Sequence, residues 1–125
     1  MSVKEREVRR QILGCINRAV NFTYPGKEGA RRGQLTDRVV LKSIKPKRRT
    51  VPYWNVVDVI QFDGERERWM RFGYYRKPKG RLNWASQTTL TDRISVWRRL
   101  FVHAAREKPW FRDLLEDVMR DLKVD

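Results

Sequence analysis

From Tyr53 to Leu90 the chain keeps the two-residue period of a pleated strand, a period no helix accommodates. Three runs carry it: Trp54 to Phe62, Arg66 to Tyr75 and Leu82 to Leu90. Two turn signals separate them. Asp63-Gly64 supplies a glycine for the positive φ of a tight hairpin. Lys77-Pro78-Lys79-Gly80 joins a residue without a backbone donor to one that permits reversal. The pattern predicts a three-stranded antiparallel meander. Thr36 to Ile44, rich in β-branched residues, adds a strand before it, so residues 36–91 are expected to form a twisted four-stranded antiparallel sheet.

The same period assigns faces. In the run from Trp54, Val57 and Val59 lie on one side and Trp54, Val56, Ile60 and Phe62 on the other. Both sides are apolar, which predicts a central strand covered twice. Asp58 falls among the second group and is expected at an exposed edge, paired with an arginine of a neighbouring strand, or chemically active. In the next run Met70 and Phe72 are assigned to core. Trp69, Arg71, Gly73 and Tyr75 are assigned to an open face, where Gly73 would leave room for a ligand's base or backbone. The last run is read with Leu82, Trp84 and Leu90 on one side and Asn83, Ala85, Gln87 and Thr89 extending the open face.

Helical periodicity replaces alternation at both ends of the chain. Val8, Ile12, Cys15, Ile16, Ala19 and Phe22 predict one amphipathic helix over residues 3–22, N-capped by Ser2 with Glu5 completing a capping box. Arg6, Arg9, Arg10 and Arg18 fall on its polar side as a solvated face. Residues 21–34, with Pro25, Gly26, Gly29 and Gly33, read as a loop. Near the C-terminus, Thr91 or Asp92 would cap a helix striped by Ile94, Trp97, Leu100, Phe101 and Ala104. Pro109 would open a second helix burying some of Trp110, Phe111, Leu114, Leu115, Val118 and Leu122. The expected architecture is a single α+β domain over residues 1–125, a length that holds one core. Its parts are an N-terminal helix within 1–24, the sheet with its basic loops over 36–91, and two C-terminal helices in 92–125. The helices are expected to pack mainly on one face of the sheet.

Charge narrows the partner. The chain has 29 basic and 15 acidic residues, a net +14, and residues 92–125 hold eight and seven of these, so the excess lies before them. Such a surface attracts polyanions. One cysteine, Cys15, excludes an internal disulfide and a cysteine metal cluster. The single histidine, His103, has no second ligand near it in sequence. No glycine-rich phosphate loop and no nucleophile elbow occurs. No apolar run approaches the length of a bilayer span and the N-terminus lacks a secretion signal, which gives a cytoplasmic expectation without a membrane partner. No catalytic residue, cofactor or metal is expected. Asp58, Asp63, Glu65 and Glu67 around the first hairpin turn are the one acidic constellation, and a Mg²⁺-dependent nuclease is the reading they would support.

The favoured expectation is non-enzymatic binding of single-stranded or structured RNA, or of single-stranded DNA. Six Trp and Tyr residues of the meander (Tyr53, Trp54, Trp69, Tyr74, Tyr75, Trp84) alternate with arginines, a mixture that stacks bases and holds phosphates. The expected contact residues are Lys45, Lys47, Arg48 and Arg49 in one loop, Trp69, Arg71 and Tyr75 on the open face, and Arg76, Lys77, Lys79 and Arg81 around the second turn. The alternative is a module that meets an acidic protein partner through the same Trp/Tyr/Arg patch. Homo-oligomerisation is compatible with either.

Overall fold

Among the described residues five strands, one more than the alternation predicted, pair antiparallel in chain order. A computed structural model describes residues 2–23, 30–42, 53–76, 82–85 and 93–124. The elements are α1 (Val3–Leu13), β1 (Ala19–Thr23), β2 (Ala30–Lys42), β3 (Tyr53–Phe62), β4 (Trp69–Arg76), β5 (Asn83–Ala85), α2 (Ile94–Glu107) and α3 (Pro109–Lys123). The α+β class and the antiparallel sheet are as expected. The strand count and the helix placement are not.

The first helix is shorter than its apolar pattern. Ser2 caps it by accepting a hydrogen bond from the Glu5 amide at 3.1 Å, while the Glu5 carboxylate takes Lys42 Nζ at 2.9 Å. Gly14 is the C-cap, and Asn17 adopts φ +74°, a left-handed conformation that ends any continuation. Past that point the Asn17 amide donates to the Leu35 carbonyl and the Leu35 amide to the Arg18 carbonyl. Residues 19–23 therefore form strand β1, pairing with residues 30–34 of a 13-residue β2. Gly33 does not break β2. It permits the strand, since a Cβ there would stand 2.7 Å from the Gln61 carbonyl oxygen.

β3 is central, as its two apolar faces predicted: Trp54 through Ile60 are buried without interruption. On one face α1 packs Val8 and Ile12 against Val40, Trp54 and Val56. On the other, Leu100, Ala104 and Phe111 of α2 and α3 pack against Val39 and Val57. The helices thus cover both faces, a correction to the one-sided arrangement. The reason is that β3 has no polar face to leave in water. Gly64 takes φ +79° in the first turn, as expected of Asp63-Gly64. Phe72 joins the α2–α3 side beside Trp97 and Phe101, whereas Met70, expected in the core with it, is 41% exposed. The α2 stripe is also rotated: Val96, Leu100 and Ala104 are buried and Ile94 is 87% exposed. Arg93 is the N-cap, and it has no side-chain cap bond. Thr91 and Asp92 lie outside the described residues. Pro109 opens α3 as expected.

Two side-chain clasps tie helices to β2. Among the described residues, 36–42 have no strand partner on their outer edge, and such an edge invites pairing with another chain. Here Arg9 Nη1 donates to the Val40 carbonyl at 3.4 Å and His103 Nε2 stands 3.2 Å from the same oxygen. Glu107 takes both side chains at 3.2 Å, joining α1 to α2 around the edge. At the register shift between Leu35 and Asp37, the Asp37 carboxylate accepts from Lys108 Nζ at 2.8 Å and Trp110 Nε1 at 2.9 Å. Partial burial would raise the Asp37 pKa, but these donors outweigh it and hold the carboxyl below its ordinary value.

Candidate nucleic-acid interface

On the α1 side of the sheet the period places Arg38 of β2, Asp58 of β3 and Arg71 of β4 abreast, in the register Arg38↔Asp58↔Arg71. Asp58 is fully buried. Arg38 donates Nε to Asp58 Oδ1 at 2.6 Å and Nη2 to Oδ2 at 3.0 Å, a bidentate pair. Arg71 donates Nε and Nη2 to Asp58 Oδ2 at 3.1 and 2.9 Å. Arg38 Nη1 reaches the Ile12 carbonyl at the end of α1, 3.0 Å, and the Tyr75 hydroxyl, 2.8 Å. Burial alone would lower the Arg38 pKa. Asp58 more than compensates and raises it, so this cation is permanent. Burial likewise pushes the Tyr75 hydroxyl above the usual phenol range, against the pull of Arg38. Two guanidinium groups around one carboxylate leave the cluster with one net positive charge.

Trp84 closes the cluster from the edge strand. The pairing Tyr75↔Trp84 puts the indole on the face of Arg71, Gly73 and Tyr75, the reverse of the facing read from the sequence. Its ring stands 4.9 Å from the Tyr75 ring, and the Arg71 guanidinium lies 4.8 Å from its centroid. The space over Gly73, expected to admit a ligand, is filled by Trp84. A Cβ on Gly73 would stand 2.2 Å from the indole Cη2. Gly73→Ala is therefore expected to displace the ring, at a cost of about 1–3 kcal/mol. Near-UV circular dichroism and tryptophan emission would report it, and an unchanged spectrum with unchanged stability would show that the ring does not rest on Gly73.

Beside the cluster is a cavity of about 240 Å³ lined by Arg18, Asn21, Arg38, Arg71, Tyr75 and Trp84, among others. Residues of β1 and β5, the two opposite edges of the sheet, both line it, so the sheet curls far enough for its edges to share one space. Among the described residues the Arg18 side chain and Arg71 Nη1 have no hydrogen-bond or ion-pair partner. The cavity thus offers two cations with free donors and two aromatic rings.

Of the residues predicted from the sequence, Arg71 and Tyr75 are brought together here. Trp69 lies on the same face, as predicted, but in a separate cluster: it is 38% exposed, edge-on to Phe62 at 5.2 Å, with the Arg31 guanidinium 5.3 Å from its ring. Tyr75 is not an open ring, being half-covered by Arg38 and Trp84. Arg76 is exposed at the far end of β4. Lys45, Lys47, Arg48, Arg49, Lys77, Lys79 and Arg81 lie outside the described residues.

The acidic constellation does not assemble. Asp58 is buried between two arginines, Glu65 pairs with Arg31, and no group of three potential metal ligands occurs among the described residues. Nor, among those residues, is any helix long and apolar enough to cross a membrane. Sequence reasoning missed Arg18 by placing it on a helix, missed Arg38, and assigned Trp84 to the wrong side. For Arg38 a signal existed: it is the one cation inside the β-branched run Thr36 to Ile44 before Lys42, at the height of Asp58 on the next strand. Comparison with protein-family models, with curated proteins and with solved structures gives no match for this chain.

Proposed function

We propose that this protein binds single-stranded nucleic acid without catalysis, seating one nucleotide unit in the cavity between Arg18, Arg71, Tyr75 and Trp84. The observation that carries the reading is the pairing of free guanidinium donors with aromatic walls in that cavity. Phosphate oxygens are the complement of the first, and unpaired bases of the second. At about 240 Å³ the space is smaller than the 300–1,000 Å³ typical of pockets for whole small molecules. It suits one unit of a polymer whose remaining length lies on the basic surface around it. Duplex DNA is the poorer fit, because its bases are stacked on one another and offer no free faces to rings.

The test is a titration of intrinsic tryptophan fluorescence with oligo(dT), oligo(U) and a duplex at several salt concentrations. With about four to seven phosphates engaged, the log–log slope of affinity against salt is expected near −3 to −6. Arg18→Gln, at an exposed position, is expected to leave folding intact, weaken all strands alike and reduce the slope by about one. No binding at low salt, or a slope near zero, would end the proposal. Equal displacement by poly-glutamate at the same ionic strength would transfer the site to an acidic protein partner.

A further inference from the structure

Charge balance in the cavity distinguishes one kind of phosphate from another. Arg18, Arg38 and Arg71 line it, and among the described lining residues there is no carboxylate. The acid behind them, Asp58, is already committed. Its Oδ1 takes Arg38 Nε, and its Oδ2 takes Arg38 Nη2 and both Arg71 donors. Three guanidinium groups against one carboxylate leave a surplus of two positive charges. A phosphodiester inside a strand brings one negative charge and leaves one of those cations unanswered. A phosphomonoester at a strand end carries about −1.5 to −2 near pH 7, and it presents one more acceptor oxygen than a diester leaves free.

The donors fit that larger anion. Arg18, ahead of β1, and Arg71, on β4, reach the cavity from different strands, and each has N–H groups without a partner among the described residues. The Tyr75 hydroxyl is a third donor. It accepts from Arg38 Nη1 at 2.8 Å, so its own proton is left to give, with the weak acceptor Cys15 Sγ at 3.9 Å beside it. Burial pushes this hydroxyl above the usual phenol range, which keeps it a donor at neutral pH.

We propose that the cavity seats the phosphorylated end of a single strand, its terminal phosphomonoester held by Arg18, Arg71 and Tyr75 and its first base against Trp84. The inference rests on the nucleic-acid reading above and narrows it to one end of the polymer. A 5′ or a 3′ end can carry such a group, and the test separates the two.

Oligo(dT) strands of one length, bearing a 5′-phosphate, a 3′-phosphate or hydroxyls at both ends, are titrated against intrinsic tryptophan fluorescence at one salt concentration. One of the phosphorylated strands is expected to bind on the order of tenfold tighter than the hydroxyl-ended strand, since a further charge-assisted hydrogen bond is worth roughly that factor. Arg18→Gln, which weakens hydroxyl-ended strands of every sequence alike, is expected to narrow the ratio to below about threefold, because it removes the cation that answers the second charge. Arg112→Gln makes the same change of charge at an exposed position of α3 outside the cavity and is expected to leave the ratio as it is. Equal affinity for phosphorylated and hydroxyl-ended strands, with the salt dependence intact, would overturn this inference and leave the wider reading standing. Binding of none of the strands would end both. A preference that Arg18→Gln does not narrow, or that Arg112→Gln narrows as much, would put the terminal phosphate outside the cavity and overturn the inference as well.

Discussion

Asp58→Ala is expected to destabilise the fold by about 3–5 kcal/mol, because it leaves two guanidinium groups around a site with no counter-charge. Asp58 is 0% exposed and Arg38 2%, so water reaches the orphaned guanidinium groups only from the cavity side and replaces the buried carboxylate incompletely. The loss is to be read as a fall in the urea midpoint with little change in slope. A loss below about 1 kcal/mol would show that the cluster is solvated and that its geometry counts for little. The comparison that separates fold from function is the triple exchange of Arg38, Asp58 and Arg71 for apolar residues of similar volume. Buried ion clusters can often be replaced in this way at no net cost, since desolvating the charges absorbs most of their mutual attraction. That variant is expected to regain much of the stability lost by Asp58→Ala and still to bind nucleic acid poorly, lacking Arg71.

Phe111→Ala should cost a similar amount, about 3–5 kcal/mol, through a different cause. Its ring is 1% exposed and meets the Phe101 ring at 5.3 Å and the Trp110 ring at 5.7 Å. Removing it opens a void where α3, α2 and the sheet converge on Val39 and Val57. A fall in melting temperature on the order of 10–20 °C follows for a domain of this size. Trp69→Ala is the control: a larger ring, but 38% exposed and outside that cluster, so its removal should barely move the melting temperature. If the two variants melted alike, the assignment of core to the α2–α3 side would be wrong.

What the sequence disclosed was what the backbone period controls. β3 is apolar on both sides and proved central. Phe72 and the Trp69–Arg71–Gly73–Tyr75 series proved to lie on opposite faces, and Asp63-Gly64 proved to be a turn with the φ it needs. What escaped depended on partners distant in sequence. Cys15, Ile16, Ala19 and Phe22 continue a helical stripe, and only the pairing of residues 19–23 with 30–34, ended by Asn17 in a left-handed conformation, turns that stretch into a strand. Gly33 looked like a breaker because the Gln61 carbonyl that forbids a side chain there is 28 residues away in the chain. Trp84 was assigned by its neighbours Leu82 and Leu90, yet its side is decided by the register with Tyr75. The cavity combines β1 with β5, and no local pattern announces that two edges will meet.

The order of the strands also has a kinetic consequence. Because β1 to β5 pair strictly in chain order, each new ladder closes only a short loop, and the entropy of assembling the sheet is spread over four successive hairpins. Proteins dominated by such near-neighbour pairings have low contact order and fold quickly for their size. The helix contacts reach further, and the clasp of Arg9 with Glu107 has partners 98 residues apart in the chain. It joins the first helix to the second around the edge of β2, beside the Val40 carbonyl. It can form only when everything between is in place, so it acts late, as a latch on a structure already built, and contributes to the rate of coming apart more than to the rate of assembly.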